Sequence, residues 1–129
     1  SPLGGGWLSG KYQRDSLPTG ASRLGEDTTR GVEAYDKRNT ERTFRILDVV
    51  RDVAGECGVS MAQVALAWLV QHPQVGSVIL GARTTEQLAD NLGAASLTLS
   101  QDQWNRLEEV SRPHTPDYPY GFMDTMKGR

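Results

Sequence analysis

Residues 77–93 read SVILGARTTEQLADNLG, and this stretch decides the fold that the sequence predicts. The run Ser77–Leu80 is short, apolar and β-branched, which is typical of a buried parallel strand. Thr84 and Gln87 have the spacing of a capping box, in which two side chains bond the backbone at the start of a helix. We therefore predict a strand that turns directly into a helix.

An arginine stands at this turn. A helix N-terminus offers unpaired N–H groups and a partial positive charge, and Arg83 adds a guanidinium fork that suits a phosphate. Gln87, Asp90 and Asn91 would project from the following turns. The alternatives are an exposed arginine, a glutamine that serves only the capping box, and a solvated carboxylate at Asp90. The pattern predicts a phosphate site at this turn.

Composition places this site in an ordinary globular chain. The 129 residues are 37% hydrophobic and 23% charged, as expected for one domain, and the net charge is −2. This charge gives no general attraction to nucleic acid or to an anionic membrane, so any phosphate site must be local. The single cysteine, Cys57, excludes an internal disulfide and fits a reducing, cytoplasmic location. No apolar run approaches the ~20 residues of a membrane span.

Helix signals occupy much of the second half. Apolar residues at spacings of three and four predict a helix over residues 40–58. Capping boxes at Ser60 with Gln63, and at Ser100 with Gln103, predict the starts of two more. Residues 13–39, by contrast, are rich in Gly, Ser, Thr and Asp, which favours a long irregular loop.

The order helix, helix, strand, helix, helix leaves one clear strand in residues 1–129. A single strand cannot satisfy its own backbone groups, whereas two flanking strands of a closed barrel would do so. We therefore expect the chain to be part of a larger sheet and to fold poorly as a monomer. If it exists as a fragment, it would have to self-associate by pairing with other chains, swap elements, or pack in a non-barrel arrangement.

Three blocks, in this order along the chain, resemble the aldo-keto reductases, with the nearest likeness to the branch of potassium-channel β-subunits and bacterial open-chain reductases. The blocks are SPLGGGWLSGKY at 1–12, SMAQVALAWLVQHP at 60–73 and GARTTEQLADNLG at 81–93. In that family the first follows strand seven and runs along the cofactor pyrophosphate, and the second leads into strand eight. The third clasps the adenosine 2′-phosphate of NADP and the adenine edge.

The resemblance implies the C-terminal part of a (β/α)8 TIM barrel, mostly helical as a fragment, from a fold of ~300 residues. The family's catalytic Asp, Tyr, Lys and His come from earlier strands, so it implies no catalytic residue here. With one cysteine and no paired histidines, the sequence also predicts no metal site.

The resemblance further implies NADP as the cofactor. In the pyrophosphate loop, glycines would let backbone N–H groups approach the anion, unless the turn is merely flexible. Lys11 would add a charge or remain a surface lysine, and Arg23 would fold over the cofactor. The Asn91 amide could meet both N6 and N7 of adenine, and Asp90 the ribose or adenine. The implied cofactor residues are Ser1, Pro2, Leu3, Gly4, Gly5, Lys11, Arg23, Gly81, Arg83, Gln87, Asp90 and Asn91.

The intact protein would then transfer hydride between NADPH and a small-molecule aldehyde or ketone, without nucleic acid or membrane partners. Two alternatives remain: an NADP-sensing regulatory module like the channel β-subunits, and an inactive truncated product. Tyr118, Tyr120 and Phe122 in the proline-rich tail could form a wall of the substrate pocket or merely cover the barrel.

Overall fold

The structure is a computed structural model and describes residues 1–114 together with residues 123 and 126. Its α-helices are α1 (Arg23–Glu26), α2 (Tyr35–Arg38), α3 (Glu41–Cys57), α4 (Met61–Val70), α5 (Thr85–Leu92) and α6 (Gln101–Ser111). Turns of 3-10 helix occupy Gly4–Ser9, Gly31–Glu33 and Gly93–Ser96. The predicted aromatic wall in the tail lies outside the described residues.

Helix α3 confirms the helix predicted over residues 40–58. The hydroxyl of Thr40 accepts a hydrogen bond of 3.2 Å from the N–H of Thr43 and so caps the helix start. At the other end Gly58 has a φ of 65°, a left-handed conformation that ends helices and that glycine adopts without strain. The buried face of α3 consists of Phe44, Leu47, Val50, Val53 and Ala54.

Both predicted capping boxes outside residues 81–93 are confirmed. The Ser60 hydroxyl accepts from the N–H of Gln63 at 3.1 Å, and the Gln63 side chain accepts from the N–H of Ser60 at 3.3 Å. Ser100 and Gln103 make the same two bonds at 3.2 and 3.0 Å. These local patterns therefore fix where α4 and α6 begin.

The main core lies between α3, α4 and α6, with the 3-10 turn at Gly93–Ser96 packed against α4. Helix α4 is apolar on most sides, so it can be buried between several neighbours at once. Leu66 and Val64 are 1% and 0% exposed. The buried members of this core are Val50, Val53, Ala54, Val64, Leu66, Ala67, Ala94, Leu99 and Leu107.

A second, aromatic core joins the N-terminal glycine turn to α3. Trp7 stacks on Tyr35 with ring centroids 5.6 Å apart, and its edge meets Tyr12 at 5.0 Å. Phe44 and Leu24 complete the contact, and Leu24 is fully buried. This cluster holds α1 and α2, which lie inside the predicted loop of residues 13–39, against the rest of the protein.

The predicted strand at Ser77–Leu80 is not confirmed. In the described residues the one β-type pairing is an isolated bridge between Gln13 and Ser16, and residues 77–82 make no backbone hydrogen bond with one another or with other described residues. A strand exists only by pairing, and the described chain supplies no neighbour. The segment is therefore unpaired, and Ile79 is 88% exposed, whereas Val78 and Leu80 pack on the main core.

Within the described residues no single helix combines the length and the apolar composition needed to cross a membrane. Helices α3 and α4 reach that length and composition only when taken together, as a pair bent by 95°.

Candidate functional site

The N-terminal glycine turn uses its N–H groups internally. Gly4 donates to the carbonyl of Ser1, Gly5 to the Ser1 hydroxyl, and Gly6 to the carbonyl of Leu3, each at 3.0 Å. Gly5 and Gly6 have φ values of 69° and 99°, so a side chain at either position would be strained. A glycine turn is thus required here, although its N–H groups are already paired.

Two charged side chains lie against this turn. A Cβ on Gly5 would stand 2.8 Å from Oε2 of Glu33, and a Cβ on Gly6 would stand 2.7 Å from Nζ of Lys11. The carbonyl of Glu33 also accepts a hydrogen bond of 3.0 Å from the Trp7 indole. The missing side chains at these glycines therefore make room for a carboxylate and an ammonium group.

Arg23 lies on α1 and faces the same carboxylate. Its Nη1 is 3.6 Å from Oε2 of Glu33, and only 12% of the Glu33 side chain is exposed. The hydroxyl of Ser22 caps α1 by accepting from the N–H of Gly25 at 3.0 Å. The structure thus brings Arg23 to the glycine turn through Glu33.

Arg83 is bound by the opposite end of α1. Its two Nη atoms donate to the two carboxylate oxygens of Glu26 at 2.8 and 2.9 Å, and Nη1 also donates to the carbonyl of Ala21 at 3.3 Å. Hydrogen bonding by Arg83, reinforced by its charge, holds the pKa of Glu26 below its usual value. The same contacts raise the pKa of Arg83.

Only half of the capping box predicted at α5 forms. The Thr84 hydroxyl accepts from the N–H of Gln87 at 3.2 Å, as predicted. The Gln87 side chain, however, accepts from the N–H of Arg83 at 2.9 Å, one residue before the cap. Gln87 therefore fixes the backbone that carries Arg83.

The pKa of Glu86 is lowered by hydrogen bonds from its own N–H and from the hydroxyls of Thr84 and Thr85, at the helix start where an anion is favoured.

Asp90 and Asn91 point to different surroundings. The Asp90 carboxylate accepts from the Ser60 hydroxyl at 2.7 Å, and its carbonyl accepts from the Gln63 amide at 2.7 Å. Asp90 thus ties α5 to the start of α4. Asn91 is buried, with 7% of its surface exposed. Gly81, in contrast, lies in the exposed segment with open space where a Cβ would stand.

Two of the predicted cations, Arg23 and Arg83, are connected through α1. Gly5 contacts Glu33, Glu33 pairs with Arg23, and α1 presents Glu26 to Arg83. Sequence reasoning missed both glutamates, because Glu26 and Arg83 are 57 positions apart and nothing local signals the pair. Pro2 and Leu3 play other roles: Pro2 lines an apolar groove, and Leu3 packs on the main core.

Two concave regions flank these residues. One, of about 340 Å³, is mainly apolar and lies between the glycine turn, α3, α4 and α6, with Trp7, Leu47 and Trp68 in its wall. The other, of about 390 Å³, is polar and is lined by Lys11, Tyr12, Gln13, Ser16, Leu17, Pro18, Thr19 and Ser22. Among the described residues no group of three His, Cys, Asp or Glu side chains is placed to hold a metal.

Comparison with known proteins identifies the family. The sequence model described as "Aldo/keto reductase family" matches residues 1–112. A probable voltage-gated potassium channel subunit beta of Arabidopsis thaliana is 33% identical over 127 residues, covering 91% of this chain and 36% of its own length. Protein tas of Escherichia coli K12 is 36% identical over 119 residues, covering 92% of this chain and 32% of its own length.

A third relative is an L-glyceraldehyde 3-phosphate reductase of Escherichia coli O157:H7, 34% identical over 84% of this chain and 31% of the relative. The chain therefore spans about a third of the length of these relatives. The match extends over most of the sequence and includes all three of the blocks quoted above, and the chain belongs to the aldo/keto reductase family.

Proposed function

We propose that this chain is the NADP-binding, C-terminal part of a (β/α)8 oxidoreductase that reduces a small aldehyde or ketone. NADPH, when bound, supplies the hydride, and the proton donor lies outside this chain. Family membership supports the oxidoreductase chemistry, and one relative is named as a reductase of a phosphorylated aldehyde. The role of this chain is then to bind and orient the cofactor.

The observation that carries the proposal is the geometry at Arg83. Its guanidinium holds a carboxylate by two hydrogen bonds of 2.8 and 2.9 Å. A phosphate presents a similar pair of oxygens, and the planar fork of arginine matches both groups. Residues present at this position therefore fit a bidentate anion such as the 2′-phosphate of NADP. Gln87 supports this role by fixing the Arg83 backbone.

The pyrophosphate would lie along the glycine turn, near Lys11 and Arg23. Both cations are exposed and stand beside Gly5 and Gly6, where absent side chains leave room. Because the N–H groups of Gly4 and Gly5 are paired within the turn, charge from these two side chains has to supply most of the attraction. Asn91, on α5, is buried, so its amide would meet adenine with a donor and an acceptor only if cofactor binding exposes it.

The test is an Arg83→Ala substitution in the protein at its full natural length, with NADPH and NADH binding measured by calorimetry. NADPH should bind more weakly by about 1.5–3 kcal/mol, the range for hydrogen bonds to charged groups, and NADH should be unaffected. Arg106→Ala is the matched control, because Arg106 also pairs with an exposed glutamate, Glu56, at 2.6 Å. Equal losses for NADPH and NADH would refute the role of Arg83.

A second candidate is a binding module that senses NADP without rapid turnover, supported by the likeness to a probable potassium channel subunit beta over 91% of this chain. Both candidates require the same cofactor residues. They differ in carbonyl reduction by the full-length protein, which a sensor would perform slowly or not at all.

A further inference from the structure

Two acidic side chains occupy the positions where the proposed function puts phosphates. The Glu33 carboxylate lies against Gly5 and 3.6 Å from Arg23, and its side chain is only 12% exposed. The Glu26 carboxylate fills one edge of the Arg83 guanidinium with two hydrogen bonds. Both glutamates belong to the segment from Ala21 to Glu33. This segment is anchored to the aromatic core by the fully buried Leu24.

Most of the Nη hydrogens of Arg83 are already used in hydrogen bonds within the protein. Nη1 donates both to Glu26 and to the carbonyl of Ala21, so it has no hydrogen left for another acceptor. Nη2 donates once to Glu26. A phosphate must either displace the Glu26 carboxylate or bind at the adjoining edge beside it. Displacement gives up two charge-assisted bonds, and adjacent binding places two anions together, so either way the Glu26 charge opposes the phosphate.

We propose that Glu26 and Glu33 are internal competitors of the cofactor phosphates, an inference that rests on the function proposed above. Glu26 competes with the 2′-phosphate at Arg83. Glu33 competes with the pyrophosphate at Gly5 and Arg23. Without cofactor, the two carboxylates neutralise the cations and hold residues 21–33 on the site, and cofactor binding exchanges these contacts for phosphate contacts.

Substitution of the two glutamates should have different effects on cofactor binding. Glu26→Gln should tighten NADPH about two- to fivefold, which corresponds to the loss of one exposed charge interaction, and leave NADH unchanged. Glu33→Gln should tighten NADPH and NADH by a similar factor, because both carry the pyrophosphate. Glu26 therefore acts on cofactor choice, whereas Glu33 acts on affinity for either cofactor.

The experiment is a calorimetric titration of the full-length protein with NADPH and with NADH. Glu56→Gln is the matched control, because it removes a comparably exposed Arg–Glu pair between α3 and α6, away from the glycine turn and Arg83. Glu26→Ala is a second variant and should change affinity in the same direction as Glu26→Gln. The melting temperatures of all variants without ligand show that the fold is kept.

Tighter NADPH binding by Glu26→Gln, without a change for NADH or for Glu56→Gln, supports the competition. Unchanged or weaker NADPH binding by Glu26→Gln overturns it and makes Glu26 a support of the Arg83 side chain. A different result would refute the proposed function itself. In that case the unsubstituted protein would not prefer NADPH to NADH, or Arg83→Ala would leave that preference unchanged.

Discussion

Gly93 and Gln63 should be coupled in stability, because the glycine leaves room for the glutamine side chain. Gly93 has helical angles, φ −57° and ψ −23°, so alanine fits its backbone. A Cβ at this position, however, would collide with Nε2 of Gln63. That nitrogen donates to the Asp90 carbonyl at 2.7 Å, while Oε1 of the same side chain accepts from the N–H of Ser60. Gly93→Ala should therefore push the Gln63 amide away from both partners.

The expected magnitude follows from two opposed effects. Losing two hydrogen bonds costs about 1–3 kcal/mol in total. Replacing glycine by alanine in a helical conformation recovers about 0.5–1 kcal/mol. Gly93→Ala should thus destabilise the protein by up to about 2.5 kcal/mol. In a Gln63→Ala background no side chain is displaced, and the same substitution should stabilise the protein by about 0.5–1 kcal/mol.

The assay is urea unfolding of the full-length protein, followed by tryptophan fluorescence, for the four members of the cycle. Changes in the midpoint at constant slope report stability. The coupling between Gly93 and Gln63 should be about 1–3 kcal/mol. If Gly93→Ala destabilises both backgrounds equally, the close approach of Gln63 is not what requires glycine, and the link from α4 to Asp90 has to be explained differently.

Four further predictions test the core, the loop, the Glu26–Arg83 pair and the activity of residues 1–129 alone. Leu66→Ala should destabilise the protein by about 2–5 kcal/mol in urea, whereas Val70→Ala, at a half-exposed site, should change stability little. NADPH should slow hydrogen exchange across residues 13–30 of the full-length protein, and much less so after Arg23→Ala; unchanged protection would make this loop a passive surface segment. Because Arg83 holds the folded-state pKa of Glu26 below that of an ordinary glutamate, the contact should be complete above the ordinary glutamate pKa and weaken on acidification through the lowered value. Exchange of residues 21–26 should rise there, and Glu26→Gln should remove the change. Residues 1–129 alone should not oxidise NADPH with aromatic aldehydes, and turnover that depends on a residue of this chain would contradict that expectation.

The elements that the sequence predicted correctly depend on near neighbours. The capping boxes at Ser60 and Ser100 need only a glutamine three positions later and a following apolar run, and both formed. At Thr84 only half of the capping box formed, because the Gln87 side chain accepts its hydrogen bond from the N–H of Arg83 instead. The sequence patterns therefore predicted the first residue of each of these helices correctly. They did not predict which backbone N–H the Gln87 side chain would bind.

The features that the sequence did not predict depend on contacts between distant parts of the chain. Ser77–Leu80 has the composition of a strand, but a strand's hydrogen bonds come from other segments, and no described backbone segment hydrogen-bonds with it. The pair of Glu26 with Arg83 depends on the path of the chain between residues 57 positions apart, which no local pattern encodes. For the same reason the family resemblance singled out Arg23 and Arg83 but did not reveal that each of these two faces a carboxylate.

These carboxylates also change how the loop of residues 13–39 is held. Its composition predicted a long irregular loop, yet Leu24 and Tyr35 are buried in the aromatic core, so apolar packing fixes the loop at two points. Between and beside those points the contacts include three ion pairs: Arg14 with Glu41, Arg23 with Glu33, and Glu26 with Arg83. The Tyr35 hydroxyl adds hydrogen bonds with the backbone of Gln13 and Ser16. Exposed ion pairs weaken with salt, whereas buried apolar contacts do not. Loop motion should therefore be greatest away from the two buried anchors and should respond to phosphate and ionic strength, while the aromatic core stays in place.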